Sequence, residues 1–178
     1  MSEIKMKRTI IALILTLSIL FAGSYFLDSY KLNHSLANDL EEISGVKSVK
    51  IDKEKVDYKI RLRLKEVDNL QKNFKEIKDR IDEAVEEKYT IILETEDSKE
   101  LDKIYEQINL VLYEALETGE FVKLGDRINF YANNYQLDRK EVKVDNNYIY
   151  LTLVKGKQEL YKVVERNQKD KSGGEMNG

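Results

Sequence analysis

The sequence predicts an α+β fold: an N-terminal transmembrane helix, then an α-β-β-α-β unit, two further helices and a C-terminal β-hairpin. Three observations carry this. A long uncharged run stands near the start of the chain. Two segments, Val56–Lys65 and Tyr148–Val154, place apolar side chains at every second position, the period of a strand buried on one face. Around them, apolar residues recur at helical spacing.

The uncharged run is Thr9–Leu27, and about 20 apolar residues cross a bilayer as a helix. Lys5, Lys7 and Arg8 precede it, while only Lys31 follows closely, beside Asp28 and Asp39. That asymmetry predicts a cytoplasmic N-terminus (residues 1–8), an anchor (9–27) and an extracytoplasmic domain (28–166). Ala22-Gly23-Ser24 would also serve as a signal-peptide cleavage site, but Tyr25, Phe26 and Leu27 extend the apolar run past it. Either way the domain is exported.

The elements of the domain follow in order. Tyr30–Ser44 is a helix with Leu32, Leu36, Leu40 and Ile43 on one face, ended by Gly45. Lys47–Asp52 and Val56–Lys65 form a hairpin. A helix over Asp68–Lys88 buries Leu70, Phe74, Ile77 and Ile81, with Asp68 and Gln71 as a capping box. Tyr89–Glu94 is the third strand. Asp97 and Glu100 cap the next helix, which Gly119 ends, and Glu120–Tyr135 is another. Lys140–Asp145, a tight Asn146-Asn147 turn with positive φ, and Tyr148–Val154 make the second hairpin. A short helix over Lys157–Arg166 closes the domain. Residues 167–178 are polar and glycine-rich, the composition of a disordered tail. The two hairpins echo each other, Val49 and Ile51 matching Val142 and Val144. Burial on one face imposes that pattern on any hairpin.

Composition narrows the function. The 178 residues contain no cysteine and one histidine, His34. Thiolate metal sites and disulfides have no parts, His34 has no cysteine or second histidine to join it in a zinc site, and no cofactor or metal is expected. Of the 30 basic and 33 acidic side chains, Lys5, Lys7, Arg8 and Glu3 precede residue 28, leaving 27 against 32, net −5. A nucleic-acid partner is not expected, since such binders carry a basic surface. Glu94, Glu96, Asp97 and Glu100 cluster after the third strand, but lack the spacing and glycine of a calcium loop.

The distinctive surface is basic. Lys50, Lys59, Arg61, Arg63 and Lys65 share the outer face of the first hairpin, where like charges repel unless something offsets them. Glu94 and Glu96 of a neighbouring strand, anionic lipid, wall polymers or an acidic partner would each do so. In the second hairpin Tyr148, Tyr150 and Thr152 lie opposite Ile149, Leu151 and Leu153, so both faces are uncharged. That favours a strand covered on both sides over an exposed aromatic contact surface.

Leu36–Ile51, the hairpin through Leu64, Ile81–Val85 and Tyr89–Ile108, with its Thr95-Glu96-Asp97 turn, resemble the sporulation and germination lipoproteins of endospore-forming bacteria. Thr118–Phe130 is similar to the glycine and following helix of that family. The chain departs from it in having no lipidated cysteine, which the membrane helix would replace. The α-β-β-α-β order also resembles the ring-building domains of export and sporulation machinery. Neither resemblance supplies catalytic residues; the second implies packing side by side with further copies, and a protein partner or self-association is expected. The expected function is therefore a membrane-anchored binding or scaffold protein of the bacterial envelope, not an enzyme. A carboxylate-based wall hydrolase and a membrane-tethered accessory sensor of small ligands are the alternatives.

Overall fold

A computed structural model describes residues 13–18, 33–54, 57–95 and 98–166. The elements are α1 (residues 33–41), β1 (Val46–Glu54), β2 (Asp57–Leu64), α2 (Leu70–Ala84), β3 (Tyr89–Glu94), α3 (Lys99–Thr118), α4 (Phe121–Asn134), β4 (Arg139–Val144), β5 (Tyr148–Lys155) and β6 (Gln158–Glu165). The strands form two three-stranded sheets, ordered β1-β2-β3 and β4-β5-β6.

In the first sheet β1 runs antiparallel to β2, and β3 returns after α2 to lie parallel to β2. Tyr58, Ile60, Leu62 and Leu64 of β2 are buried against Leu36, Leu40 and Ile43 from the α1 segment and Leu70, Phe74, Ile77 and Ile81 of α2. Each such side chain contributes about 1.5–3 kcal/mol relative to exposure. Arg80 of α2 fastens α1, donating to the carbonyl of Asp39 at 2.8 Å and to its carboxylate at 2.7 Å. Gly45 turns the chain from α1 into β1 at φ +86°, which glycine tolerates without steric cost.

The second sheet is an antiparallel meander. Ile149, Leu151, Leu153 and Leu160 pack on Leu101, Ile104, Ile108 and Leu112 of α3 and Leu124 and Ile128 of α4. Tyr150 and Tyr161, on the opposite face, belong to the core of the first sheet. Phe74 meets Tyr148 and Tyr150 edge-on, with centroids 5.3 and 6.0 Å away. The strand with two uncharged faces is thus covered on both.

Several expectations are corrected. Residues 157–166 were expected as a helix, but 158–165 form β6, so the second hairpin is completed by a third strand. Leu160 and Tyr161 are adjacent and both buried, one in each core, which a strand permits and a one-faced helix does not. The β5–β6 turn is the two-residue Gly156-Lys157 loop, with Gly156 at φ +60°. The N-cap of α2 is Asn69, not Asp68, and that of α3 is Ser98. Neither Asn146 nor Asn147 takes positive φ; the Asp145 carboxylate accepts from the N–H groups of Asn147 and Tyr148 instead, both at 2.9 Å. Gly119 ends α3 at φ +75°, as expected.

Of the expected membrane segment only residues 13–18 are described, as helix, with Leu13, Ile14, Leu15 and Leu17 exposed. No helix among the described residues is long and apolar enough to cross a membrane. The rest of that segment, Glu96, Asp97 and the expected tail at 167–178 lie outside the described residues.

The echo between the hairpins stops at their third strands. After the first, the chain crosses over through α2 and adds a parallel strand; after the second it turns back and adds an antiparallel one. Alternation for burial accounts for what the hairpins share.

Candidate functional site

The period of β2 that buries Tyr58, Ile60 and Leu62 turns Lys59, Arg61 and Arg63 to the other face of the first sheet. The register sets Ser48 opposite Arg63, Lys50 opposite Arg61 and Asp52 opposite Lys59 on β1. On β3 it sets Thr90, Ile92 and Glu94 beside Lys59, Arg61 and Arg63. Lys50, Arg63 and Thr90 are exposed, and Lys59, Arg61 and Ile92 half-buried.

Two carboxylates run through this face. Asp52 pairs with the Arg61 guanidinium and lies 3.8 Å from the Lys50 ammonium. Glu94 lies 3.8 Å from Arg61 Nε and 3.5 Å from Arg63 Nη2. The offset expected from Glu94 is therefore present, between Arg61 and Arg63, while Asp52 stands between Lys50 and Arg61. Lys50, Arg61 and Arg63 thus share two carboxylates, Asp52 and Glu94. A face of interleaved guanidinium, ammonium and carboxylate groups around Ile92 can recognise an acidic surface by charge-assisted hydrogen bonds.

Lys65 departs from the expected set. It follows the last ladder residue of β2 and pairs with Glu66 at 3.1 Å. Both line a separate hollow of about 430 Å³ with Leu64, Gly156, Lys157 and Glu159. The structure thus brings Lys50, Lys59, Arg61 and Arg63 together and places Lys65 at their margin.

The acidic cluster does not converge in its described members. Glu94 belongs to the basic face, whereas Glu100 pairs with Lys155 of β5. Among the described residues no group of three histidine, cysteine or acidic side chains is placed to hold a metal. His34 is exposed on α1.

Two features escaped the sequence. Leu110, Tyr113, Val122 and Phe130 are exposed at 76, 58, 82 and 56% on the outward side of α3 and α4. Their spacing, opposite Ile108, Leu112 and Ile128, was the available signal. The second is Asp145. Its other carboxylate oxygen accepts from Gln71 at 3.1 Å and Tyr150 at 2.9 Å and pairs with Lys75 at 3.1 Å. Burial alone would raise its pKa, but the donors around it hold the carboxyl well below the usual range. No sequence signal links residues this far apart.

No protein-family model matches the chain, and no curated protein or solved structure matches it significantly.

Proposed function

We propose that this chain is a membrane-anchored, extracytoplasmic binding or scaffold protein of the bacterial envelope, in the sporulation setting that the sequence resemblance suggests. It works by contact and not by chemistry on a substrate. The supporting observation is the outer face of the first sheet, where Lys59 stands beside Lys50, Arg61 and Arg63, and these three cations share two carboxylates, Asp52 and Glu94. An acidic surface on a protein partner, or on a further copy of the chain, complements it and displaces the internal pairs to Asp52 and Glu94. The lysine-rich approach to the apolar run Thr9–Leu27 supports the location.

Replacing Lys59, Arg61 and Arg63 together with glutamate tests the contact. Crosslinked partner should be recovered from membranes of cells carrying the native chain and lost with the triple variant. Equal recovery from both would refute the assignment of this face. The absence of native cysteine makes location directly testable. A single cysteine at exposed Glu117 should react with a membrane-impermeant maleimide in intact cells from which the wall has been removed. Labelling only after lysis would refute the extracytoplasmic placement.

A further inference from the structure

The outward side of α3 carries charge opposite to that of the basic face. Glu106, Leu110 and Glu114 stand at four-residue intervals, so they form one line along the helix, and all three are exposed. Asp102, Tyr113 and Glu117 flank this line and are exposed too. Beyond Lys103 the helix carries no basic residue. Among the described residues neither Glu106 nor Glu114 makes a salt bridge, and Lys123, the cation that influences Glu114, pairs with Glu120. The other side of α3 packs on the second sheet through Leu101, Ile104, Ile108 and Leu112. It therefore does not cover the first sheet of its own chain.

The spacing on the two surfaces agrees. Lys59, Arg61 and Arg63 follow one another at every second residue of β2, and Ile92 pairs with Arg61 at the middle. Four strand residues separate Lys59 from Arg63, a rise of about 13 Å. Eight helix residues separate Glu106 from Glu114, a rise of about 12 Å. Cations on either side of an apolar centre thus face carboxylates on either side of a leucine, over the same length. The widths agree as well. Three strands span about 10 Å, and a helix with its side chains is about 10 Å across. Asp52 and Glu94, interleaved with the cations, repel a plain polyanion such as a wall polymer or an anionic bilayer.

We infer that the basic face receives α3 of a second copy of this chain, with Leu110 seated on Ile92 and Glu106 and Glu114 meeting Lys59 and Arg63. This assignment rests on the acidic-partner reading of that face and names the partner. Arg63 exchanges its internal pair with Glu94, at 3.5 Å, for a carboxylate of the incoming helix. The contact also covers a leucine that is 76% exposed in the single chain. The two surfaces are different, so the contact is head-to-tail: each copy offers its sheet to one neighbour and its helix to another. Such contacts continue into a ring or a filament.

Cysteine crosslinking of the full-length chain in cell membranes tests the contact, with a short bismaleimide as the probe. Cells holding an Ile92→Cys chain together with a Leu110→Cys chain should yield a linked dimer. Either chain alone should yield about tenfold less, because a head-to-tail contact does not bring identical positions together. Glu106→Lys with Glu114→Lys in the Leu110→Cys chain should cut the yield by about tenfold or more, since like charges then face each other. Lys59→Glu with Arg63→Glu in the Ile92→Cys chain should do the same, and the two reversals together should restore the link. A Thr90→Cys chain, exposed on the same face, serves in place of Ile92→Cys if the latter fails to fold. The inference is overturned if the mixture yields no more dimer than the single chains. It is equally overturned if charge reversal leaves the yield unchanged or the paired reversal fails to restore it. Capture of a different protein at Ile92→Cys, lost on Lys59→Glu with Arg63→Glu, would overturn the second copy and leave the acidic-partner reading standing. No link to any protein would overturn both.

Discussion

Tyr161 and Val67 are 94 residues apart in sequence, yet the phenolic oxygen of Tyr161 accepts the backbone N–H of Val67 at 3.0 Å in the buried seam between the two sheets. The adjacent N–H, of Glu66, donates to the Glu159 carboxylate at 2.8 Å, and the Val67 carbonyl accepts from Arg139. The turn between β2 and α2 therefore has its backbone groups satisfied by β4 and β6. Burial pushes the Tyr161 phenol up to about 12, so it stays protonated through the neutral range.

Tyr161→Phe keeps the ring and removes the acceptor. The Val67 N–H, on a residue 1% exposed, is left without its partner. Stability should fall by about 1–3 kcal/mol, the cost of an orphaned buried donor. Urea denaturation checks this. A cost near zero would mean that water replaces the phenol.

Asp145 should make the fold acid-sensitive. Its folded carboxyl titrates below the unfolded value of about 3.9, so its contribution is complete above about pH 4 and is lost as pH falls through the lower folded value. Lys75, Gln71, Tyr150 and the N–H groups of Asn147 and Tyr148 are the groups that face it. Asp145→Asn should cost about 2 kcal/mol at neutral pH, the scale of hydrogen bonds to a charged group. Its stability should also decline less between pH 5 and about 2 than that of the native chain. Parallel declines in the two proteins would assign the acid sensitivity elsewhere.

Two glycines with positive φ should respond differently to alanine. Both Gly45 (φ +86°) and Gly119 (φ +75°) would suffer backbone strain, about 1–2 kcal/mol. At Gly119 a Cβ meets nothing within 4 Å, so the strain is the whole effect. At Gly45 it would come 2.9 Å from Val67 Cγ2 and 3.2 Å from Asn73 Nδ2. Gly45→Ala should therefore lower the thermal midpoint more than Gly119→Ala. The reverse order would show that the Val67 turn yields readily.

These sites also show what a sequence can disclose. Gly45 and Gly119 were legible because a glycine after a helical stripe has a local cause. The stripes of α2 and α3, the alternation of β2 and the doubly covered β5 were legible for the same reason: burial writes its period into neighbouring residues. β6 was not. A strand buried on both faces loses its period of two, and Leu160, Tyr161, Val163 and Val164 also suit a helix. The caps shifted by one residue because Asp68 and Asn69, and Asp97 and Ser98, are nearly equal cap formers. At the candidate site Lys59, Arg61 and Arg63 followed from the period of β2 and Lys50 from its place across the hairpin on β1, whereas Lys65 lies at the margin of the face. The Asp145 network joins β5 to α2 across 74 residues between Gln71 and Asp145, so no local pattern records it.

The basic face should separate binding from stability. Arg61 and Arg63 retain 28 and 44% side-chain exposure, and such pairs contribute about 0–1 kcal/mol each. Arg61→Ala with Arg63→Ala removes three such pairs and should therefore lower the unfolding free energy by no more than about 3 kcal/mol, while Glu94 loses both guanidinium groups, Asp52 keeps Lys50 and the positive charge of the face around Ile92 is cancelled. If an acidic surface docks there, capture of the crosslinked partner should collapse in this folded variant. Capture by the native chain should weaken as salt is raised, because exposed charges are screened beyond about 8 Å at physiological ionic strength. Glu94→Gln should act in the opposite direction: it frees Arg61 and Arg63 from an internal competitor and should strengthen capture at low salt. Salt-independent capture, unchanged by either substitution, would remove the basic face from the binding surface even in a chain that is otherwise a scaffold.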